Sequence, residues 1–117
     1  MLINISPTLS PDLLFHLRTM GHGEQLILAD ANFPSNKYNK NIIRLDGVNI
    51  PEAAEAILSV FPLDSFSVKN GNFSAYRMEV DNQPKKLTQT HKEFIKIVKK
   101  VSGKNWKVGS IEREEFY

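Results

Sequence analysis

Three helix-start signals alternate with short apolar segments along this chain, and this alternation constrains the fold most. The first signal is Ser10-Pro11-Asp12, which places a capping hydroxyl, a proline and an acid at the start of a helix. Pro51 opens a second helix, and the pattern predicts a third from Thr88 to Val101. Helices that alternate with strand-length segments are typical of α/β domains. We therefore expect one α/β domain with a mainly parallel sheet flanked by helices.

The apolar segments between these helices have the length and composition of strands. We predict strands at Gln25 to Ala29, Ile42 to Gly47, Ser65 to Lys69, Phe73 to Val80 and Lys107 to Glu112. The turn Asn70-Gly71-Asn72 is typical of a hairpin and would join the third strand to the fourth. The final residues, Glu114 to Tyr117, resemble the first turn of another helix. Because a domain rarely ends there, we expect residues 1–117 to form one domain that is incomplete at its C-terminus.

The segment from Met20 to Pro34 carries the clearest functional signal from residue types alone. His22 lies between two glycines after the predicted first helix, and histidine exchanges protons readily near neutral pH. Asp30 follows the predicted strand from Gln25 to Ala29. The carboxyl ends of strands are where open α/β sheets usually bind ligands. These two residues are therefore candidates for a site.

Composition excludes several classes of function. The 117 residues include no cysteine, which excludes disulfides, thiolate metal sites and a cysteine nucleophile. No apolar run approaches the ~18 residues of a membrane helix, and no secretory signal is visible. We expect a cytoplasmic protein that binds neither membranes nor nucleic acid. Eight lysines and one acid, Glu93, lie between Lys85 and Lys107. These lysines are best explained as the solvent-exposed face of a helix.

Several sequence blocks together resemble the L-fucose mutarotase and D-ribose pyranase family. They occur in order over nearly the whole chain: Ile5-Ser6-Pro7, Leu9-Ser10-Pro11, Met20 to Glu24, Ala29 to Pro34, Ile43 to Gly47, Pro62-Leu63-Asp64 and Ile111 to Tyr117. Arg44-Leu45-Asp46-Gly47 and the terminal Glu112 to Tyr117 are closer to the fucose mutarotase branch. The ribose branch typically has histidine where this chain has Arg113.

The resemblance implies a cofactor-free isomerase that interconverts the anomers of a free sugar. It also implies a ring-shaped homo-oligomer, commonly a decamer, with sites close to subunit contacts. By motif position, His22 would be the catalytic proton donor, and Asp30 and Arg113 would hold substrate hydroxyls. The family also has a Tyr-x-Asn-type element that completes the sugar pocket, and this sequence ends before it.

Each of these residues also has a structural interpretation that the sequence alone leaves open. His22 could be an exposed residue after a helix cap, Asp30 could be a turn residue, and Arg113 could pair with Glu112 or Glu114 at the surface. Arg44 and Asp46 are expected to brace the turn at Gly47 rather than bind substrate. His16 and His91 lie in predicted helices and are expected to be structural or solvent-facing.

The functional alternatives differ in chemistry. Mutarotation requires a proton for the ring oxygen and removal of a proton from the anomeric hydroxyl, and general acid–base help of this kind contributes about 100- to 10,000-fold. Ribose pyranase chemistry would use the same histidine in a pocket of different shape. A non-catalytic sugar-binding or assembly module is the alternative from another class. A metal hydrolase based on His22 and Asp30 is disfavoured, because two ligands without a further cluster are too few.

Overall fold

A computed structural model describes residues 1–65 and 73–117. The helices assigned within these residues are α1 (Pro11–Thr19), α2 (Ser35–Tyr38), α3 (Ile50–Leu58), α4 (Gln89–Ile97) and α5 (Arg113–Phe116). A π-helical turn, Val98–Ser102, continues α4, and the strands of the same described residues are β1 (Ala75–Met78) and β2 (Val108–Ile111). The order and type of these elements confirm the predicted α/β class with a parallel sheet and flanking helices. In the described part of the chain, no helix is long and apolar enough to cross a membrane.

The three long helices begin where their caps predict. The Ser10 hydroxyl accepts a hydrogen bond from the Leu13 amide, and the Asn49 side chain accepts one from the Glu52 amide. Thr88 caps α4 in the same way, by accepting from the His91 amide. Such side chains satisfy backbone donors that a helix leaves without partners in its first turn. The predicted helix starts are therefore confirmed.

The core lies between α1 and α3. Its buried members are Leu9, Leu13, Leu17, Ala56 and Ile57. Side chains from the two segments that follow α1 and α2 pack against this cluster, among them Leu26, Leu28, Ile43 and Leu45. The core thus fixes where the chain leaves α1, and this is the point at which His22 is placed.

Strands β1 and β2 are hydrogen-bonded in parallel, with Ala75 opposite Val108 and Met78 opposite Ile111. Gly109 lies in β2, where an added Cβ would come within 2.6 Å of the Phe73 ring and 2.9 Å of the Tyr76 ring. The residue at this position must therefore be a glycine if the two rings are to cover the strand. The end of β2 leads directly into α5, and Arg113 is the first residue of α5.

Two predicted strands are wrong. Gln25 to Ala29 and Ile42 to Gly47 carry the right apolar pattern, but neither has a strand assignment in the structure. Their alternate side chains, including Leu26 and Leu28, pack on the core cluster while Gln25 and Ile27 remain exposed. Periodicity reports which side chains are buried, whereas a strand also requires a backbone partner. The turn at Gly47 is confirmed, with the Val48 amide bonded to the Leu45 carbonyl at 3.2 Å.

The predicted hairpin is only partly described. Its fourth strand corresponds to β1, while residues 66–72, which include most of the third strand and the Asn70-Gly71-Asn72 turn, lie outside the described residues. The third helix is confirmed, with Phe94, Ile95, Val98 and Val101 shielded and Lys92, Lys96, Lys99 and Lys100 exposed. Four of the eight lysines therefore form the solvent-exposed side of α4 and its π-helical extension. One of them, Lys100, pairs with Glu55 of α3 at 3.0 Å.

Candidate functional site: a histidine–carboxylate pair and an aromatic-braced arginine

His22 lies in the turn that follows α1 and is held by Asp64. The glycines on either side permit this turn, and Gly23 adopts a φ of 81°, which glycine tolerates without strain. His22 Nδ1 lies 3.3 Å from one carboxylate oxygen of Asp64, and the Gly23 amide donates to the other oxygen at 3.2 Å. Asp64 therefore contacts both the imidazole and the backbone beside it, which fixes the orientation of the ring.

This pair has a definite chemical consequence. A carboxylate at Nδ1 favours the tautomer that carries its proton on Nδ1, in which Nε2 is the basic nitrogen. The His22 side chain is 76% exposed, whereas that of Asp64 is 22% exposed. An accessible imidazole that a carboxylate holds through Nδ1 can exchange protons with a bound molecule through Nε2. The sequence identified His22 but assigned no role to Asp64, whose only signal was the block Pro62-Leu63-Asp64.

Asp30 shapes its own loop. Its side chain accepts a hydrogen bond from the Asn32 amide at 2.8 Å, and its carbonyl accepts one from the Phe33 amide at 3.1 Å. This is the turn geometry that the structural interpretation of Asp30 anticipated. A carboxylate has about four acceptor positions, so the bond to Asn32 is compatible with accepting further donors.

Arg113 borders a polar pocket between the end of β1 and the start of α5. The pocket has a volume of about 220 Å³ and includes Asp81, Asn82 and Glu112. Arg113 Nη1 donates to Asp81 at 3.3 Å, so its partner is not Glu112 or Glu114, as the sequence suggested. Hydrogen bonding to Tyr117, together with the charge of Asp81, raises the pKa of the Arg113 guanidinium above its ordinary value. The group is therefore a permanent cation.

Four aromatic rings connect the Asp30 loop to α5, a feature that the sequence analysis missed. Phe33 contacts Tyr117 and Phe116, with ring centroids 5.0 and 5.7 Å apart. Tyr38 contacts both Phe33 and Tyr117. The Arg113 guanidinium lies 5.1 Å from the centre of the Tyr117 ring. We call Phe33, Tyr38, Phe116 and Tyr117 the aromatic cluster.

The three predicted site residues thus have different partners. Asp30 and Arg113 are joined through the aromatic cluster, whereas His22 is held by Asp64. Arg44 binds Asp46 at 2.9 Å beside the Gly47 turn, and His91 takes part in the cap of α4, as their structural interpretations predict. That Arg44 and Asp46 do not bind substrate stays a prediction. Among residues 1–65 and 73–117, no group of three or more histidines, cysteines and carboxylates could hold a metal ion.

Fold and site together define a small α/β protein with an accessible histidine–carboxylate pair and an arginine beside a polar pocket. Comparison with known proteins places the chain more narrowly. Residues 3–117 match the model of the RbsD / FucU transport protein family, and the chain belongs to this family.

Named relatives support the fucose mutarotase branch. An L-fucose mutarotase from Actinobacillus pleuropneumoniae is 33% identical over 117 residues, which cover all of this chain and 78% of that protein. An L-fucose mutarotase from Haemophilus influenzae is 48% identical over 66 residues, which cover 56% of this chain and 46% of the relative. A fucose mutarotase from Danio rerio is 52% identical over 65 residues, covering 53% of this chain and 42% of the relative. The matches to these last two proteins therefore span less than half of their length.

A solved structure confirms the fold. The crystal structure of protein Atu2016, which is provisionally described as sugar-binding, superimposes with a TM-score of 0.90 at 38% identity. The superposition covers all of this chain and 78% of the other. The resemblance inferred from the sequence blocks is thus confirmed at the level of family, branch and fold.

Proposed function

We propose that the protein is a mutarotase that interconverts the α and β anomers of L-fucose or a related aldose by general acid–base ring opening and closing. The observation that carries the proposal is the pair formed by His22 and Asp64, which orients an accessible imidazole. The L-fucose mutarotases among the relatives support the same class of reaction. In this proposal the protein works on free monosaccharides.

The proposed reaction begins with the closed hemiacetal. His22, with Nε2 protonated, delivers a proton to the ring oxygen as the bond from C1 to that oxygen breaks. The anomeric hydroxyl gives its proton to a solvent water molecule and becomes the aldehyde oxygen. Rotation about the bond between C1 and C2 then presents the other face of the aldehyde. Ring closure reverses both proton transfers, so His22 regains its proton and no atom is gained or lost. Asp64 keeps the imidazole in one orientation and one tautomer.

In the proposal, Asp30 and Arg113 bind the sugar hydroxyls. Arg113 remains positively charged, and its planar guanidinium has several N–H groups that can donate hydrogen bonds to hydroxyl oxygens. Asp30 is an acceptor on an exposed loop, and the aromatic cluster links that loop to the helix that carries Arg113. Together they would select a sugar by the positions of its hydroxyl groups.

NMR exchange spectroscopy on L-fucose tests the proposal directly. We expect the verified full-length protein to accelerate exchange between the α and β anomers, and His22→Ala to reduce the catalysed rate by about 100-fold or more. His16→Gln is the matched control, because His16 lies on α1 and stacks on Phe15, so its loss should leave the rate unchanged.

D-ribose in the same experiment separates the alternatives. Exchange between ribose pyranose and furanose forms without an effect on fucose would support a D-ribose pyranase. Chemical-shift changes on sugar addition without acceleration of either exchange would indicate a non-catalytic sugar-binding module. Either result would overturn the fucose mutarotase proposal.

We also propose that the protein associates with copies of itself into a ring-like homo-oligomer, in particular a decamer, in the cytoplasm. Exposed apolar side chains outside the core support self-association: Leu2, Ile3 and Ile27 are 68%, 89% and 54% exposed. Exposed apolar side chains of this size are candidates for burial against another protein surface.

A further inference from the structure

Aromatic contacts connect the loop that carries Asp30 to the C-terminal residues Phe116 and Tyr117. Its described hydrogen bonds are internal: Asn32 and Phe33 bond to Asp30, Ser35 bonds to Phe33, and Asn39 bonds to Ser35. These bonds define the shape of the loop, but they do not attach it to the rest of the protein. The internal hydrogen bonds therefore determine the shape of this loop, and other contacts determine its position in the protein.

Phe33 provides the larger part of the attachment. Within residues 31–40 only Phe33 and Ser35 are partly shielded from solvent, and of these two only Phe33 is apolar. Its ring packs edge-on against Phe116, the last residue of α5, at 5.7 Å and against Tyr117, the residue that follows, at 5.0 Å, while the more exposed Tyr38 contacts Tyr117 alone of these two. Edge-to-face packing at such distances favours one orientation of the rings over others.

One of these rings, Tyr117, also contacts Arg113. Its guanidinium lies 5.1 Å from the Tyr117 ring centre, within the range of a cation–π contact, and it also binds Asp81. A continuous series of contacts thus connects Asp30, Phe33, Tyr117 and Arg113. A change at Phe33 would alter the spacing between the carboxylate and the guanidinium.

We propose that Phe33 is a positioning residue that sets the distance between Asp30 and Arg113 and thereby the affinity for the sugar hydroxyls. The inference rests on the proposed function, because it assigns these two residues to sugar binding. Phe33 does not touch the His22–Asp64 pair through any of its described contacts. Its loss should weaken sugar binding without slowing proton transfer.

Steady-state NMR exchange measurements at several L-fucose concentrations test this separation. We expect Phe33→Leu to raise KM about tenfold with kcat within twofold of the wild type, since the lost contacts act on ground state and transition state alike. Phe33→Tyr keeps the ring and should restore KM. Phe15→Leu is the matched control, because Phe15 is 66% exposed and its ring contacts His16 on the same helix.

Amide hydrogen exchange gives a second readout that does not depend on catalysis. Faster exchange at the Asn32 and Phe33 amides in Phe33→Leu, reversed in Phe33→Tyr, is the expected result. A double substitution with Tyr117→Leu should raise KM by less than the product of the two single effects, because Phe33 and Tyr117 share one contact.

An unchanged KM in Phe33→Leu, or a fall in kcat with KM unchanged, would overturn the positioning role while leaving the mutarotase proposal intact. If the wild-type protein accelerates no sugar exchange, the mutarotase proposal fails. Unchanged amide exchange in Phe33→Leu would then overturn the attachment role as well.

Discussion

Asp64 shows how a single side chain can determine what a candidate catalytic residue does. It bonds to the His22 imidazole and to the Gly23 amide, so it orients the ring and fixes the turn at once. Its backbone carbonyl accepts a hydrogen bond from the Ser74 hydroxyl, and this contact does not involve the carboxylate. A substitution that changes only the charge of Asp64 can therefore test its chemical role separately from its place in the fold.

We expect Asp64→Asn to lower kcat for fucose anomer exchange by about 10- to 100-fold with little change in KM. The asparagine amide can donate to Nδ1, which favours the wrong imidazole tautomer. Asp46→Asn is the control, because Asp46 is an exposed carboxylate that pairs with Arg44 away from His22. NMR exchange rates at saturating fucose measure the effect. Full activity in Asp64→Asn would show that the pair has no catalytic role.

At the scale of elements, α4 begins with a reciprocal cap that depends on protonation. The Thr88 hydroxyl accepts from the His91 amide, and His91 Nδ1 accepts from the Thr88 amide at 3.2 Å. Protonation of His91 would occupy that acceptor. Partial burial, together with the positive charge of Arg77, lowers the pKa of His91 below its ordinary value. The neutral imidazole is thus the form that caps the helix.

The stability of the protein should therefore decrease as the pH falls below about 6.5, the ordinary histidine pKa. Between that value and the lower pKa of His91 in the folded protein, the unfolded chain binds more protons than the folded protein does. The free energy of unfolding therefore decreases as the pH decreases. His91→Gln keeps a capping acceptor that does not titrate and should reduce this dependence. Urea unfolding at pH 7.5 and at pH 5.5 measures the difference. An equal pH dependence in both proteins would contradict the role of His91.

At the scale of the whole molecule, most side chains of the described chain are at least partly exposed. The buried apolar residues are few, namely Leu9, Leu13, Leu17, Ala53, Ala54, Ala56, Ile57, Ala75 and Val98. Large apolar side chains such as Leu2, Ile3 and Ile27 remain accessible in one copy of the chain. Burial of this surface between copies would remove it from water and add stability that a single copy lacks.

Sedimentation velocity or native mass spectrometry should accordingly detect an assembly larger than a dimer, with a decamer as the proposed state. Ile27→Lys would place a charge in the exposed apolar surface and should shift the population toward smaller species. Lys92→Glu also changes a charge, but Lys92 lies on the solvent-exposed face of α4, so this control should leave the assembly unchanged. A wild-type protein that sediments as a monomer at micromolar concentration would contradict the assembly proposal.

Local signals in the sequence determined the helices. Ser10, Asn49 and Thr88 cap their helices through contacts that span only a few residues, so each start depends on the neighbouring sequence. The same holds for the turn at Gly47 and for the glycines beside His22, whose backbone freedom follows from the absence of a side chain. Family membership was also present in the sequence, as an ordered series of blocks.

Contacts between residues far apart in the chain were decided only by the tertiary structure. The pairing of His22 with Asp64 spans 42 residues, and that of Arg113 with Asp81 spans 32. The segments at 25–29 and 42–47 have the periodicity of strands, but neither belongs to a strand among residues 1–65 and 73–117. Sequence patterns report what each residue prefers locally, whereas the partner of a side chain depends on how the core brings distant segments together. The sequence therefore identified the candidate proton-transfer residue, and the fold supplied the carboxylate that orients it.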